Sequence, residues 1–317
     1  MHRRAAAVLA TAAVLGMAAA TPAQAADRRV FGADRYGTAA AVSQQVTGNT
    51  FAPVYLATGE NFPDALAASA AAGGDQSRVL LTGRYALPQA TLDELARLKA
   101  TSVYLVGGTA SVSAAVETEL DRLGYSVLRF DGENRYDTSA TVAKILFDDP
   151  DTVFLATGQN YPDALAGAAA AGSLGAPILL VGRDSVPESI RSALTDDLFA
   201  VKPSRFFVLG GEGAISNGVV DQIRALGYQN ASFERVGGDD RYATAVAVGQ
   251  RFFPSSPSVL LAVGDNFPDA LAAGPFAAGT SAPLLLTRAT STPAATADEL
   301  TKRSPQDRIY VGAARPS

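Results

Sequence analysis

The chain has 317 residues, 48% of them hydrophobic, with 26 basic against 31 acidic side chains. It therefore holds material for two or three cores and lacks the basic excess of a duplex nucleic-acid binder. It contains no cysteine and one histidine, His2, which excludes thiolate nucleophiles, disulfides and cysteine-built zinc sites and leaves imidazole chemistry to a single residue.

The N-terminus opens with the short basic stretch Met1-His2-Arg3-Arg4, and an apolar, alanine-rich run covers 5–20. It ends at Thr21-Pro22 and then Ala23-Gln24-Ala25, whose small residues suit a signal peptidase. We read 1–25 as a secretory signal cut after Ala25, because the apolar run is shorter than the roughly 20 residues that span a bilayer. Losing it removes His2, Arg3 and Arg4, leaving 24 bases against 31 acids, a net charge of −7. The expected product is secreted, acidic and free of both His and Cys, with no membrane segment after cleavage.

Short apolar runs then alternate with helical patterns. Strands are expected near 30–31, 54–57, 79–82 and 103–106, with helices over 38–46, 63–72, 88–99 and 113–123. Strands that alternate with helices predict an α/β fold with a parallel sheet covered on both faces, Rossmann-like or Toprim-like.

The same pattern returns twice. Ala57-Thr58-Gly59-Glu60-Asn61-Phe62-Pro63-Asp64-Ala65-Leu66-Ala67 recurs from Ala156 to Ala166 with Tyr161 in the aromatic place, and from Ala262 to Ala272 with Phe267. A second motif, Arg-x-x-Gly-x-Asp/Asn-Arg-Tyr, runs from Arg29 to Tyr36, from Arg129 to Tyr136 and from Arg235 to Tyr242. A third is a Gly-Gly turn, Gly107-Gly108 and Gly210-Gly211, reduced to Gly312-Ala313 in the last copy. The spacing is too long for a solenoid and predicts three tandem modules with small parallel sheets. With each module starting at its arginine motif, the boundaries fall at 28–128, 129–234 and 235–317, the third lacking its final helix. The helices over 113–124 and 216–227 are then connectors, each closed by a glycine.

In the Asn-Phe/Tyr-Pro-Asp motif, Asn61 and Asp64 can reciprocally cap the following helix, while the alternative is an anion received at the helix start. The Gly-Gly turn lacks the lysine of a P-loop, so nothing implies a nucleotide, and no cofactor or metal is expected. The arginine motif offers the candidate ligand-binding residues, Arg35, Arg135 and Arg241 with Tyr36, Tyr136 and Tyr242. Each arginine follows a strand end, the edge where parallel sheets collect ligands. Its fork suits phosphate or carboxylate, and a tyrosine can stack on a sugar. The competing reading is an Arg–Asp/Asn pair that fixes a turn or an interface between modules. Arg84 and Arg183 add charge after the third strand, while Arg288 is shifted by one position in the third copy.

Taken together, these strings resemble the cell wall-binding repeat 2 family. The resemblance implies three modules around a pseudo-threefold axis and non-covalent attachment to an anionic secondary polymer of a Gram-positive wall. The same resemblance carries Arg35, Arg135 and Arg241 over as polymer contacts. No catalytic residue is expected. Two alternatives stay open: an accessory protein that modulates a separate wall hydrolase, and a peptidoglycan amidase or hydrolase built on carboxylates such as Asp64.

Overall fold

The computed structural model describes residues 26–47, 53–195 and 201–315. The expected signal segment lies outside them. Twelve strands and eleven helices alternate along the described chain. The first unit runs β2 (Val54–Thr58), α2 (Pro63–Gly74), β3 (Val79–Thr82), α3 (Gln89–Leu98), β4 (Ser102–Val106), α4 (Ala114–Arg122) and β5 (Ser126–Phe130). Then come α5 (Arg135–Leu146), β6 (Thr152–Thr157), α6 (Pro162–Ser173), β7 (Ile178–Val181), α7 (Glu188–Thr195), β8 (Arg205–Leu209), α8 (Asn217–Ala225) and β9 (Ser232–Val236). The last third holds α9 (Arg241–Phe252), β10 (Ser258–Val263), α10 (Phe267–Gly279), β11 (Leu284–Thr287), α11 (Ala294–Arg303) and β12 (Asp307–Val311). The chain enters through β1 (Ala26–Val30) and α1 (Arg35–Ser43).

These strands form three separate parallel sheets, ordered β3-β2-β4-β5, β7-β6-β8-β9 and β11-β10-β12-β1. Three α/β units with small parallel sheets were expected, and three are present. The sheet limits differ from the expected module limits, however. The strand that was to open each module closes the sheet of the preceding one: β5 pairs with β4 and β9 with β8. The positions 128/129 and 234/235 fall inside β5 and β9. Accordingly, α4 and α8 are crossovers within a sheet rather than connectors between units. The links between units are the short turns from β5 to α5 and from β9 to α9. A helix long enough for a parallel crossover lies on each side of β5, so chain length leaves both phases open, and the observed register, Ser102 opposite Ser126 through Val106 opposite Phe130, assigns β5 to the sheet of β4. The third sheet receives its fourth strand from β1, paired along its length with β12.

Strand alternation decides which side each unit turns inward. In β2, Val54 and Leu56 join Leu95, Val116 and Leu120 in an outer core, whereas Tyr55 and Ala57 face the centre. The second and third units have matching outer cores of their own. A single inner core draws on all three units. At its middle α2, α6 and α10 pack on one another, and most of their residues are alanine, glycine or leucine.

Both ends of these three helices meet. Phe62, Tyr161 and Phe267 pack ring against ring at the N-terminal ends, with centroids 5.5–6.3 Å apart. Gly73, Gly172 and Ala278 crowd together at the C-terminal ends. The helices therefore run parallel around a pseudo-threefold axis, which brings the C-terminal edges of all three sheets to one end of the molecule. A Cβ on Gly172 would lie 2.9 Å from the Gly73 Cα and 3.2 Å from the Ala278 Cβ. Gly172→Val should cost about 1–3 kcal/mol by overpacking, while Gly213→Ala, with open space around it, should stay within about 0.5 kcal/mol. Thermal unfolding of the two variants checks this.

Candidate functional site

Each arginine motif begins in one unit and ends in the next. Its strand belongs to the preceding sheet, and its helix packs on the following unit: α1 on β3, α5 on β7 and α9 on β11. The first arginine of the motif reaches back to the Gly-Gly turn. Arg129 donates from Nη1 to the Gly107 carbonyl at 2.7 Å and pairs with Glu117 at 2.7 Å. Arg235 and Arg29 reach the Gly210 and Gly312 carbonyls at 3.0 and 3.1 Å. Sequence reasoning did not single these residues out, although their recurrence in the motif was the available signal.

The Asp or Asn of the motif caps the helix instead of pairing with its neighbouring arginine. Asp34 accepts from the Gly37 N–H at 2.8 Å, Asn134 from Tyr136 at 2.9 Å, and Asp240 from Tyr242 at 2.9 Å. The candidate arginines reach forward. Arg35 donates to the Gly59 carbonyl, Arg135 to that of Gly158, and Arg241 to that of Gly264 at 2.8 Å. Arg241 also meets Asp265 at 3.2 Å. The aliphatic stem of each arginine and the ring of the adjacent tyrosine lie so close over these glycines that a Cβ there would crowd them. Tyr36, Tyr136 and Tyr242 thus brace the strand-to-helix turns. Burial raises the hydroxyl pKa of Tyr36 and Tyr242, which keeps both neutral.

The Asn-Phe/Tyr-Pro-Asp motif does not form the expected reciprocal cap. Asn61 Oδ1 accepts only from the adjacent Phe62 N–H at 3.0 Å, and α2 starts with no side-chain cap. Asp64 points elsewhere, because the following helix offers it better donors. Its carboxylate takes hydrogen bonds from Ser111 and Thr138. Asp163 and Asp269 likewise meet Thr244 and Thr38, and Asp269 also accepts from the Ala313 N–H at 3.3 Å. The recurring threonine three residues after each arginine is the partner that the motif reading missed.

Each site therefore spans two units, and each aspartate feels the arginine of the next helix: Asp64 with Arg135, Asp163 with Arg241, Asp269 with Arg35. The Gly-Gly turn completes the enclosure. Gly107 and Gly210 have φ of +118° and +87°, and a Cβ on either would lie 2.5 Å from the Oδ2 of Asp64 or Asp163. Gly312 keeps the positive φ, so the reduced third turn has the same backbone form as the others. Between the first and second units these groups line an open cleft of about 170 Å³ bordered by Asn61, Asp64, Ser111, Asn134, Arg135 and Thr138. Arg84 and Arg288 lie over the rings of Tyr85 and Tyr242, while Arg183 sits 4.0 Å from Asp184.

A ring of α/β units with an arginine and a buried aspartate repeated at each junction, and an open cleft beside the pair between the first and second units, defines a repeat-built binding scaffold. The model of the family Cell wall binding domain 2 (CWB2) matches residues 29–117, 129–220 and 235–313, and the chain belongs to this family. It is 32% identical over 276 residues to the N-acetylmuramoyl-L-alanine amidase LytC of Bacillus subtilis, covering 86% of this chain and 53% of that protein. Against the Amidase enhancer of the same organism it is 30% identical, covering 86% and 36%. Among solved structures it resembles Cwp6 from Clostridium difficile, with a TM-score of 0.82 and 27% identity over 91% of this chain and 46% of the other. Cwp8 from the same organism gives 0.79 and 26%, over 90% and 49%. The chain thus spans about half or less of the length of these relatives. Cell-wall binding and a place at the wall or surface follow from membership.

Burial is the largest influence on Asp64, Asp163 and Asp269, and it raises all three pKa values against the pull of the arginines and hydroxyls. A carboxyl with a raised folded pKa holds its proton longer in the native state, so its stability contribution is full below the unfolded pKa of about 3.9 and is lost as pH rises through the folded value. The melting temperature of Asp64→Asn relative to the native chain should therefore increase from pH 4 to pH 7. Paired melting curves across that range test it, and a flat difference contradicts it.

Proposed function

We propose that this chain is a secreted protein that attaches non-covalently to an anionic secondary polymer of a Gram-positive wall through Arg35, Arg135 and Arg241, flanked by Tyr36, Tyr136 and Tyr242. One observation carries the reading. Among the described residues, Arg35 and Arg135 each hydrogen-bond only a glycine carbonyl, leaving most of a five-donor fork for a ligand. These two forks, and the Arg241 fork that also meets Asp265, stand at the end of the molecule where the sheet edges gather, on an otherwise acidic protein. A guanidinium binds phosphate or carboxylate bidentately, and three linked weak contacts give more than their separate affinities.

The chain itself is read as a non-enzyme. Asp64 borders the open cleft but is only 7% exposed, and no histidine or cysteine stands among the described residues to act beside it. Likeness to the protein named Amidase enhancer supports a second reading, in which the wall-held chain modulates a separate hydrolase.

Each single Arg→Ala change should weaken binding to purified sacculi by roughly tenfold, and the triple change by more than a hundredfold. Added salt should weaken the native chain as well. Arg→Lys keeps the charge and loses the fork, so it should fall between native and alanine. Melting temperatures must accompany these assays, since alanine also removes the bond to the glycine carbonyl. Unchanged affinity in a folded triple variant eliminates the arginine sites. Incubated with purified peptidoglycan, the isolated protein should release no new amino or reducing ends, and release abolished by Asp64→Asn overturns the non-enzyme reading.

A further inference from the structure

The three sites share their arginine, threonine and aspartate but differ at the two positions beside each arginine. The residue that follows the motif strand is Phe31 at the first site, Asp131 at the second and Gly237 at the third. The residue after the third-strand arginine is Tyr85, Asp184 or Ala289. Because α1, α5 and α9 pack on β3, β7 and β11, both positions border the same junction. The Arg35 site is thus flanked by two aromatic rings, the Arg135 site by two carboxylates and the Arg241 site by small residues.

Both rings are left in solvent. Phe31 is 53% exposed and Tyr85 69%, although burying an aromatic ring is normally favourable. Each is held from one side by a cation: the Arg29 guanidinium carbon lies 4.2 Å from the Phe31 centroid, and that of Arg84 lies 4.9 Å from Tyr85. The Arg29 guanidinium is anchored by its own bond, and Arg84 is anchored through its backbone. Arg29 donates to the Gly312 carbonyl at 3.1 Å, and the Arg84 backbone N–H donates to Glu60 Oε1 at 3.0 Å. The Arg84 Nε is buried with no hydrogen-bond partner. A guanidinium over one face orients a ring and leaves the other face free. An oriented aromatic face beside planar donors matches a pyranose, whose C–H face is apolar and whose rim carries hydroxyls.

We infer that the Arg35 site seats a sugar ring of the wall polymer, with Phe31 and Tyr85 as stacking platforms that the other two sites lack. This rests on the polymer-binding reading above. It makes the first junction the place where the identity of the sugar is read.

The probes are purified sacculi and the anionic polymer released from them. Phe31→Leu and Tyr85→Leu keep apolar bulk and lose the ring; Leu174→Ala, an exposed apolar residue at the far end of α6, is the control. Each leucine variant should bind the released polymer about 2- to 10-fold more weakly, by a factor that salt leaves unchanged, with no fall in melting temperature. The factor lost in Arg135→Ala should shrink with salt, and Leu174→Ala should bind as the native chain does. Grafting both rings onto the second site, Asp131→Phe with Asp184→Tyr, should tighten binding. A native chain that fails to bind the polymer removes the polymer reading itself. A native chain that binds, with a Phe31→Leu/Tyr85→Leu double variant of equal affinity, overturns the stacking platforms and leaves polymer binding standing.

Discussion

The close packing of α2, α6 and α10 around the axis is the constraint on which the rest of the molecule depends. Three helices can approach so closely only when the facing side chains are small, and Gly73, Gly172 and Ala278 meet that condition. Parallel packing then forces all three sheets to point the same way. With the helix starts gathered under Phe62, Tyr161 and Phe267, the turns before them, and the arginines bonded to those turns, gather at the same end. A repeated motif thereby becomes a common face.

The junctions between units extend this constraint outward. Every arginine motif contributes a strand to one sheet and a helix to the neighbouring unit, so no unit closes its sheet or its site alone. Asp64 lies under a turn of its own unit and is hydrogen-bonded by Thr138 of the next helix; the last unit is completed by β1 and Arg35 from the start of the described chain. Placing a carboxylate in each junction is unfavourable by itself, as the raised pKa values record. The hydroxyl donors and the nearby arginine offset that cost in the assembled form, and removing one partner would leave a buried charge uncompensated. The net shift is still upward, so once ionised the carboxylates disfavour the interlocked form, and the shared inner core holds the units together against that cost.

Near-identity of the three sites in their core, and divergence at their rims, separates two roles. Arginine, threonine, aspartate and the glycine turn are needed wherever two units meet, so they recur. Residues 31 and 131, and 85, 184 and 289, vary between aromatic, acidic and small, whereas Gly237 is held to glycine by the Gly210 backbone, 2.5 Å from where its Cβ would lie. Variation there can alter what is bound without disturbing how the units join.

Much of this could be read from residues alone. The period of the Asn-Phe/Tyr-Pro-Asp and Arg-Tyr strings gave three α/β units, because strand and helix each impose a local periodicity that survives without a fold. The phase of the repeat was another matter. A cyclic pattern of strand and helix has no intrinsic starting point, and only the pairing of β5 with β4 and of β1 with β12 fixes which sheet the strand before each arginine joins. Asn61 and Asp64 illustrate the same limit at the scale of a side chain: their spacing permits a reciprocal cap, but Ser111 and Thr138 outcompete the helix start for Asp64, and those donors lie 47 and 74 residues away in the chain. Local spacing determined the elements, their repetition and the residue types at the candidate sites. The tertiary structure alone decided which units share a strand, which carboxylate faces which arginine, and which aromatic rings stay exposed, because each of those depends on contacts between segments that the sequence keeps far apart.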